Sequence, residues 1–374
     1  MPRFPLWLLP LTIPILYLLK SRPLPSRETV IPPDEERVLL LGASSGIGKD
    51  LALAYARRGA KVFLLARRAD VLEEVRKECE EAAAQAGKKA EVLVFRGDMT
   101  KVADLVSARE MIVKAWSGVD TVHILAGLPS TSLLMDLAGV SLDRSSPSTA
   151  SPSGAPLAFS LKGESTGSGP SFEGLERVEK EARAVAEVNY LGTVLALSCF
   201  LPLLASSSRS PALHHLSSVA ATVPAPHRVI YAATKSAGLM AVESCRVECE
   251  GCGVRFFSLC PGTIDNEFRL KTATSQTGGR DETKLPIKHA WEGLLLQPEA
   301  VTKTILHHLS LSPKPQPLIP YPPFNFFRAL DAPPKHLVHM PLMYRFAMFV
   351  RDTPLGWGYI EPAARRKYGL IGRA

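Results

Sequence analysis

From Arg37 onward, short apolar runs alternate with amphipathic stretches, and that alternation sets the fold class. Residues 38–41 (VLLL) are apolar throughout, the pattern of a strand covered on both faces. A helical pattern follows through Ala52, Ala54 and Tyr55, then a second apolar run at residues 61–66 (KVFLLA). Residues 70–86 are charged and Ala-rich and read as a surface helix; residues 90–96 and 119–126 supply two more strands. The pattern resumes with a helix over 173–196, a strand at 212–216, a helix over 232–248 and a strand at 254–259. A helix over 299–309 and a last strand at 317–321 complete it. Strand and helix in regular alternation predict a doubly wound parallel α/β sheet with helices on both faces, one domain spanning residues 37–321. No internal repeat is present.

Two stretches interrupt or precede this pattern. Residues 141–172 are crowded with Ser, Gly, Pro and Thr and read as a flexible insertion that cannot bury enough surface to fold alone. Residues 4–19 (FPLWLLPLTIPILYLL) carry no charge. A spanning helix needs about 20 apolar residues, and Pro5, Pro10 and Pro14 interrupt helical hydrogen bonding. Residues 1–22 are therefore expected to be a short membrane anchor or an interfacial segment. No small-residue cleavage site follows them, and residues 23–36 read as a polar, Pro-rich linker. Lys20, Arg22 and Arg27 after the apolar stretch, against Arg3 before it, favour a main domain facing the cytosol, with the endoplasmic reticulum as the expected membrane. Residues 322–374 mix Pro and aromatic residues, among them Tyr344, Phe346 and Phe349, with basic ones. This extension reads as a tail over the core, a lid over an apolar pocket or a second membrane contact.

Composition narrows the partners. Of 374 residues, 46 % are hydrophobic and 21 % charged, as in a folded globular protein. The net charge of +8 is spread along the chain, with no zinc-finger spacing, RNA-recognition motif or long basic run, so nucleic acid is not an expected partner. The six cysteines (79, 199, 245, 249, 252 and 260) do not make a disulfide framework. Cys249-x-x-Cys252 lacks a second ligand pair, so no metal site is expected.

The chemistry is carried by a few spaced residues. Gly42-Ala43-Ser44-Ser45-Gly46-Ile47-Gly48 follows a strand and opens a helix, where glycines let backbone N–H groups approach a pyrophosphate. Tyr231 and Lys235 are four apart and share a helix face, and Ser218 lies 13 residues before Tyr231. A free phenol titrates near 10, but a neighbouring ammonium stabilises the phenolate, so Tyr231 can exchange a proton with a substrate oxygen near neutral pH. Arg67 and Arg68 end the second strand, 19 residues after Gly48, where an acidic residue would bind ribose hydroxyls; guanidinium groups there suit a 2′-phosphate.

As a set, the G-x-x-x-G-x-G turn and Ser218, Tyr231 and Lys235 resemble the short-chain dehydrogenase/reductase family over roughly residues 37–310. The resemblance implies a Rossmann-like fold, with Ser218 and Tyr231 on the substrate oxygen and Lys235 on ribose hydroxyls. Asn189, in Asn189-Tyr190-Leu191-Gly192, would support a proton-relay water. Asp98 would contact adenine, Ala126-Gly127 would follow the fourth strand, and Pro261-Gly262-Thr263-Ile264 would form the nicotinamide loop. The chain departs from the family at Leu41, commonly threonine, at Ile124-Leu125, commonly asparagines, and at Asn266, commonly threonine. The expected activity is NADPH-linked interconversion of a ketone and a secondary alcohol on a lipophilic substrate such as a steroid, sphingoid base or acyl lipid, with NADH the poorer cofactor. Membrane-bound hydroxysteroid dehydrogenases and 3-ketodihydrosphingosine reductases are the similar members. A nucleotide-binding scaffold without turnover is the alternative, and family members often pair as homodimers through helices near Asn189 and Tyr231.

Overall fold

The computed structural model describes residues 26–143, 158–161, 169–266, 268, 295–311, 336–351 and 353. The apolar stretch at 4–19, most of the insertion and the strand expected at 317–321 lie outside these. Nine strands are described: β1 (Arg37–Leu41), β2 (Lys61–Ala66), β3 (Glu91–Arg96), β4 (Thr121–Ile124), β5 (Val140–Asp143), β6 (Ala158–Leu161), β7 (Ala212–Leu216), β8 (Arg255–Pro261) and β9 (Leu337–Met340). Seven form one parallel sheet in the order β3-β2-β1-β4-β7-β8-β9. The order reverses between β1 and β4, where doubly wound sheets open a crevice at the carboxyl ends of their strands.

The helices are α1 (Gly46–Arg57), α2 (Ala69–Gln85), α3 (Val102–Trp116), α4 (Phe172–Ala186), α5 (Thr193–Ser207), α6 (Val229–Glu248), α7 (Pro298–Ser310) and α8 (Met343–Val350). Period-two alternation along the strands divides the core between two faces. Val38, Leu40, Val62 and Leu64 pack with Leu51 and Tyr55 of α1, Leu72 and Val75 of α2, and Ile305 of α7. Leu39, Leu41, Phe63 and Leu65 pack on the other face with Leu105 of α3, Phe200 of α5 and Val242 of α6. The expected fold class is thus the observed one.

Several details differ from the sequence reading. The outermost described strand is Leu337–Met340, within the stretch read as an extension; it pairs with β8 in the register Ser258↔Leu337 to Pro261↔Met340. The helix expected to end at residue 196 runs from Phe172 to Ser207, with a π-helical turn at Glu187–Gly192. It is the one described helix long and apolar enough to cross a membrane by length and composition, and its buried Val185, Ala196, Phe200 and Leu204 belong to the domain interior. Within the stretch read as an insertion, β5 and β6 form an antiparallel pair in which Ser141 Oγ lies 2.6 Å from Ser160 Oγ. Arg27, read as a membrane-flanking charge, is buried: it donates to Glu36 at 2.5 Å, Thr121 Oγ1 at 2.7 Å and the Asp120 carbonyl at 3.0 Å. A buried guanidinium requires such partners, so Arg27 belongs to the base of the domain and leaves Lys20 and Arg22 as the flanking charges.

Candidate active site

A cleft of about 900 Å³ opens at the carboxyl ends of the strands. One wall is the turn from Gly42 to Gly48. Gly42 has φ +102°, and a Cβ there would lie 2.6 Å from the Ala126 nitrogen; a Cβ at Gly48 would lie 2.1 Å from the Gly42 carbonyl oxygen. Only glycine lets the turn close this tightly and bring the first N–H groups of α1 to the cleft. Ser44, Ser45, Gly46 and Ile47 line it, and the side chain of Ser45, the residue preceding α1, does not cap the helix.

Arg67 and Arg68 stand at the end of β2, exposed at one extremity of the cleft, where the Arg68 guanidinium donates to Ser44 Oγ at 3.1 Å. Asp98 lines the same region, its Oδ1 accepting from the Thr100 backbone at 3.0 Å and hydroxyl at 2.9 Å. Ala126 and Gly127 form the floor. Where the family commonly has asparagines, backbone bonds hold the end of β4: the Leu125 and Ala126 N–H groups both donate to the Leu41 carbonyl at 2.9 Å.

The other half of the cleft gathers Ser218, Tyr231 and Lys235. Ser218 follows β7 and caps the 3₁₀ turn Val219–Ala221, its Oγ accepting from the Ala220 N–H at 3.2 Å. Tyr231 and Lys235 lie on the first turns of α6 and are nearly fully buried. Lys235 Nζ donates to the Leu216 carbonyl at 2.9 Å. Burial pushes its ammonium down to about 8, an effect only partly opposed by the Cys260 sulfur, so it stays largely charged at neutral pH.

Asn189 sits one layer behind the wall, where Val188 is the lining residue. Its Oδ1 accepts from the Leu128 N–H at 2.8 Å, and its Nδ2 donates to the Leu128 carbonyl at 3.0 Å and Thr234 Oγ1 at 3.1 Å. Buried to 1 % exposure in the π-helical turn, it clamps the segment after β4 that carries Gly127. A Cβ on Gly127 would meet Asn189 Oδ1 at 3.2 Å and Lys235 Nζ at 3.3 Å, so the three form one packed unit.

On the far side, Pro261, Gly262, Thr263 and Ile264 leave β8 along the cleft, and the Asn266 side chain comes near Gly46. Among the lining residues without a counterpart in the sequence reading of the site are Arg228, Phe268, Tyr344 and Ala347. Tyr344 packs against Gly262, the Gly262 N–H donates to the Met340 carbonyl at 2.6 Å, and Arg351 donates to the Thr222 carbonyl at 3.0 Å. β9 and α8 thus join the β8 loop to the Ser218 loop and close that end of the cleft. Arg228 alone offered a local signal, lying three residues before Tyr231 and so on the same helix face. Among the described residues no group of His, Cys, Asp or Glu could hold a metal ion.

A family model for the short chain dehydrogenases matches residues 36–144 and 166–277, across the turn, the serine and the Tyr231–Lys235 helix. The chain is a short-chain dehydrogenase. Its relatives include proteins named as hydroxysteroid dehydrogenase-like. A protein of Arabidopsis thaliana called 11-beta-hydroxysteroid dehydrogenase-like 2 is 26 % identical over 231 residues, 62 % of this chain and 60 % of that one. The 1-deoxy-11-beta-hydroxypentalenate dehydrogenase of Streptomyces exfoliatus is 27 % identical over 260 residues, 68 % of this chain and 78 % of that one. A dehydrogenase/reductase SDR family protein 7-like of Dictyostelium discoideum is 40 % identical over 83 residues, 22 % of this chain and 26 % of that one. The match spans only part of the length of most such relatives. A short chain dehydrogenase of Burkholderia cenocepacia in complex with NADP shares the fold, with a TM-score of 0.53 at 20 % identity, covering 88 % of this chain and 98 % of that one.

Proposed function

We propose that this dehydrogenase interconverts a ketone and a secondary alcohol on a lipophilic substrate, with NADPH or NADP+ preferred over the NADH couple. The reading is carried by one arrangement: Ser218, Tyr231 and Lys235 share a cleft whose opposite extremity presents Arg67 and Arg68. The glycine cradle, in which a Cβ would occupy the turn, fits a dinucleotide pyrophosphate, and Asp98 fits its adenine end. When bound, the nicotinamide supplies or accepts the hydride. Ser218 Oγ and the Tyr231 hydroxyl hold the substrate oxygen, and Tyr231 gives it a proton during reduction or takes one during oxidation. The Lys235 ammonium stabilises the resulting phenolate and holds the ribose hydroxyls. Asn189 acts through the Leu128 backbone to fix the floor on which Lys235 rests.

The lipophilic substrate is read from the substrate end, where Val223, Pro224, Phe268, Tyr344 and Ala347 present mainly apolar surface. The names of the Arabidopsis and Streptomyces relatives, one hydroxysteroid dehydrogenase-like and one a hydroxypentalenate dehydrogenase, support an alcohol–ketone pair as the reacting group. NADPH oxidation with a panel of steroidal, sphingoid and acyl ketones tests the activity, and absence of turnover with every carbonyl would support a nucleotide-binding scaffold instead.

For the cofactor, Arg67→Ala with Arg68→Ala is expected to weaken NADPH at least about tenfold, about 1.4 kcal/mol, and NADH little. Fluorescence titration with both cofactors checks this, and equal losses would mean that the pair does not read the 2′-phosphate.

The uncharged residues 4–19 support association with the endoplasmic reticulum membrane, the catalytic domain facing cytosolic NADPH. The full chain is expected to resist carbonate extraction and its domain to be digested by protease added to sealed microsomes; protection would place the domain in the lumen. Exposed Tyr190, Leu191 and Met240 support pairing with a second copy, to be read by sedimentation.

A further inference from the structure

We propose that Arg228 is a positioning residue for the reaction: its guanidinium, held against the ring of Tyr231, stabilises the phenolate formed when Tyr231 gives up its proton. The proposal rests on the reading of Tyr231 as the proton-transferring group and adds a partner to it on the side away from Lys235 along the helix.

Three observations converge on this residue. The Arg228 guanidinium carbon lies over the Tyr231 ring, 5.6 Å from its centroid, within the range at which a cation is drawn to an aromatic face. Arg228 lines the cleft yet is only 8 % exposed, so its field is less screened than that of a surface arginine. Its place in the helix runs against the usual preference, for it is the residue preceding the first turn of α6, where the helix dipole favours a negative group.

The backbone before it is also unusual. His227, buried and not a glycine, has φ +62°, in the left-handed region that such a residue enters at a cost. The turn is closed by the Arg228 N–H donating to the Ala225 carbonyl at 3.1 Å, and the Arg228 carbonyl accepts from the Ala232 N–H at 2.6 Å. A cation placed against the helix dipole, next to a left-handed histidine, is a pair of local conflicts of the kind found where function outweighs stability. The consequence here is a guanidinium on the tyrosine ring.

The physical effect has a sign. A cation over the ring favours phenolate over phenol, most strongly when the site is closed to water. Oxidation of an alcohol requires phenolate at the outset and reduction of a ketone requires phenol. Losing the cation therefore moves the titration of Tyr231 upward, slowing oxidation below that titration and sparing reduction. Other charged or titratable groups around this end of α6 include the buried His227 beside Arg228 and Lys235 one turn on, with His215 on β7 and Cys260 on β8 near Lys235. Asp265 lies after β8, His339 on β9, Arg345 on α8 with Arg351 just beyond it, and Glu181 on α4; all are retained in the variants below.

The test is the pH dependence of kcat/KM in both directions for the full-length protein, using the alcohol–ketone pair on which the wild type is most active. Arg228→Met is expected to move the acid limb of oxidation up by about one pH unit. That is about a tenfold loss at neutral pH, converging on wild type at high pH, while reduction changes less than about threefold. Arg228→Lys, which keeps the charge, should recover most of the shift, and cofactor Kd should stay within about twofold. Arg228→Gln gives the same readout if Arg228→Met folds poorly. Parallel pH profiles, or a raised KM with kcat unchanged, would overturn the proposal, the latter by making Arg228 a substrate anchor. An active wild type with an active Tyr231→Phe variant would remove the underlying reading instead.

Discussion

Tyr231→Phe is expected to lower turnover by about a thousandfold or more while leaving cofactor binding within about twofold. Positioned general acid–base groups contribute about 10²–10⁴ in rate. In the proposed mechanism Tyr231 also holds the reacting oxygen, which places the expected loss in the upper half of that range. Its hydroxyl is the only atom removed, the ring stays against Phe268 at 6.1 Å between centroids, and Lys235 keeps its bond to the Leu216 carbonyl. Stability should therefore change little. Single-turnover kinetics in both directions, with cofactor Kd measured separately, checks this. Turnover retained within about tenfold would mean that another group moves the proton, and a parallel loss of cofactor binding would mean that the ring supports the dinucleotide.

Acid is expected to destabilise the domain below about pH 6.5 and to unfold it near about pH 4.5, driven by imidazoles inside the sheet. His123 on β4 and His214 on β7 are fully buried, with their Nδ1 atoms 3.0 Å apart; His123 Nε2 lies 3.0 Å from the Tyr55 hydroxyl. Between the two Nδ1 atoms one donates and the other accepts, an arrangement that suits neutral rings. Burial pushes His214 down to about 3, and burial, reinforced by neighbouring positive charge, holds His123 and His215 well below the usual histidine range. In the unfolded chain all three titrate near 6.5. Between about 6.5 and 3 the unfolded state binds protons that the folded state refuses, so stability falls as pH falls through 6.5. Each imidazole withdraws about 1.4 kcal/mol per pH unit, and the three together on the order of 4 kcal/mol. Two units then rival the roughly 5–15 kcal/mol stability of a typical domain. Urea unfolding between pH 7.5 and 4.5 reads the slope. His214→Phe, which retains a ring beside Phe257, should flatten that slope by about a third. A stability independent of pH down to 4.5 would mean that the three rings are charged or hydrated in the folded state.

The chemistry that could be read from the chain is the part that is local. A glycine turn between a strand and a helix, and a tyrosine four residues before a lysine, owe their meaning to positions within one or two turns of each other. The two faces of the core were equally readable, because strand residues alternate and helix residues recur every three or four. What escaped reading depends on distant partners. The aromatic tail offers a lid among its readings, but nothing about residues 337–351 announces that their strand joins β8 or that Tyr344 and Ala347 are the residues that reach the cleft. The pairing is set by a neighbour some 80 residues earlier. The π-helical turn at Asn189 had no sequence signal either; it accommodates the close approach of the Asn189 carbonyl to Gly238, where a Cβ would lie 2.5 Å from it. Arg27 was misread because its charge was counted without Glu36 and Thr121, which enclose it.

The order of synthesis gives the outermost strand a further meaning. β8 is complete at Pro261, but its partner Leu337–Met340 is made about 80 residues later, roughly 4–16 s at ordinary elongation rates. Until then the nascent chain presents the free edge of an apolar parallel strand, Phe256, Phe257 and Leu259 among its residues, to whatever lies near the ribosome. Leu337–Met340, the last described strand, is thus also a stopper against intermolecular strand addition. A chain interrupted before Leu337 would be expected to aggregate rather than accumulate as a soluble dinucleotide-binding domain.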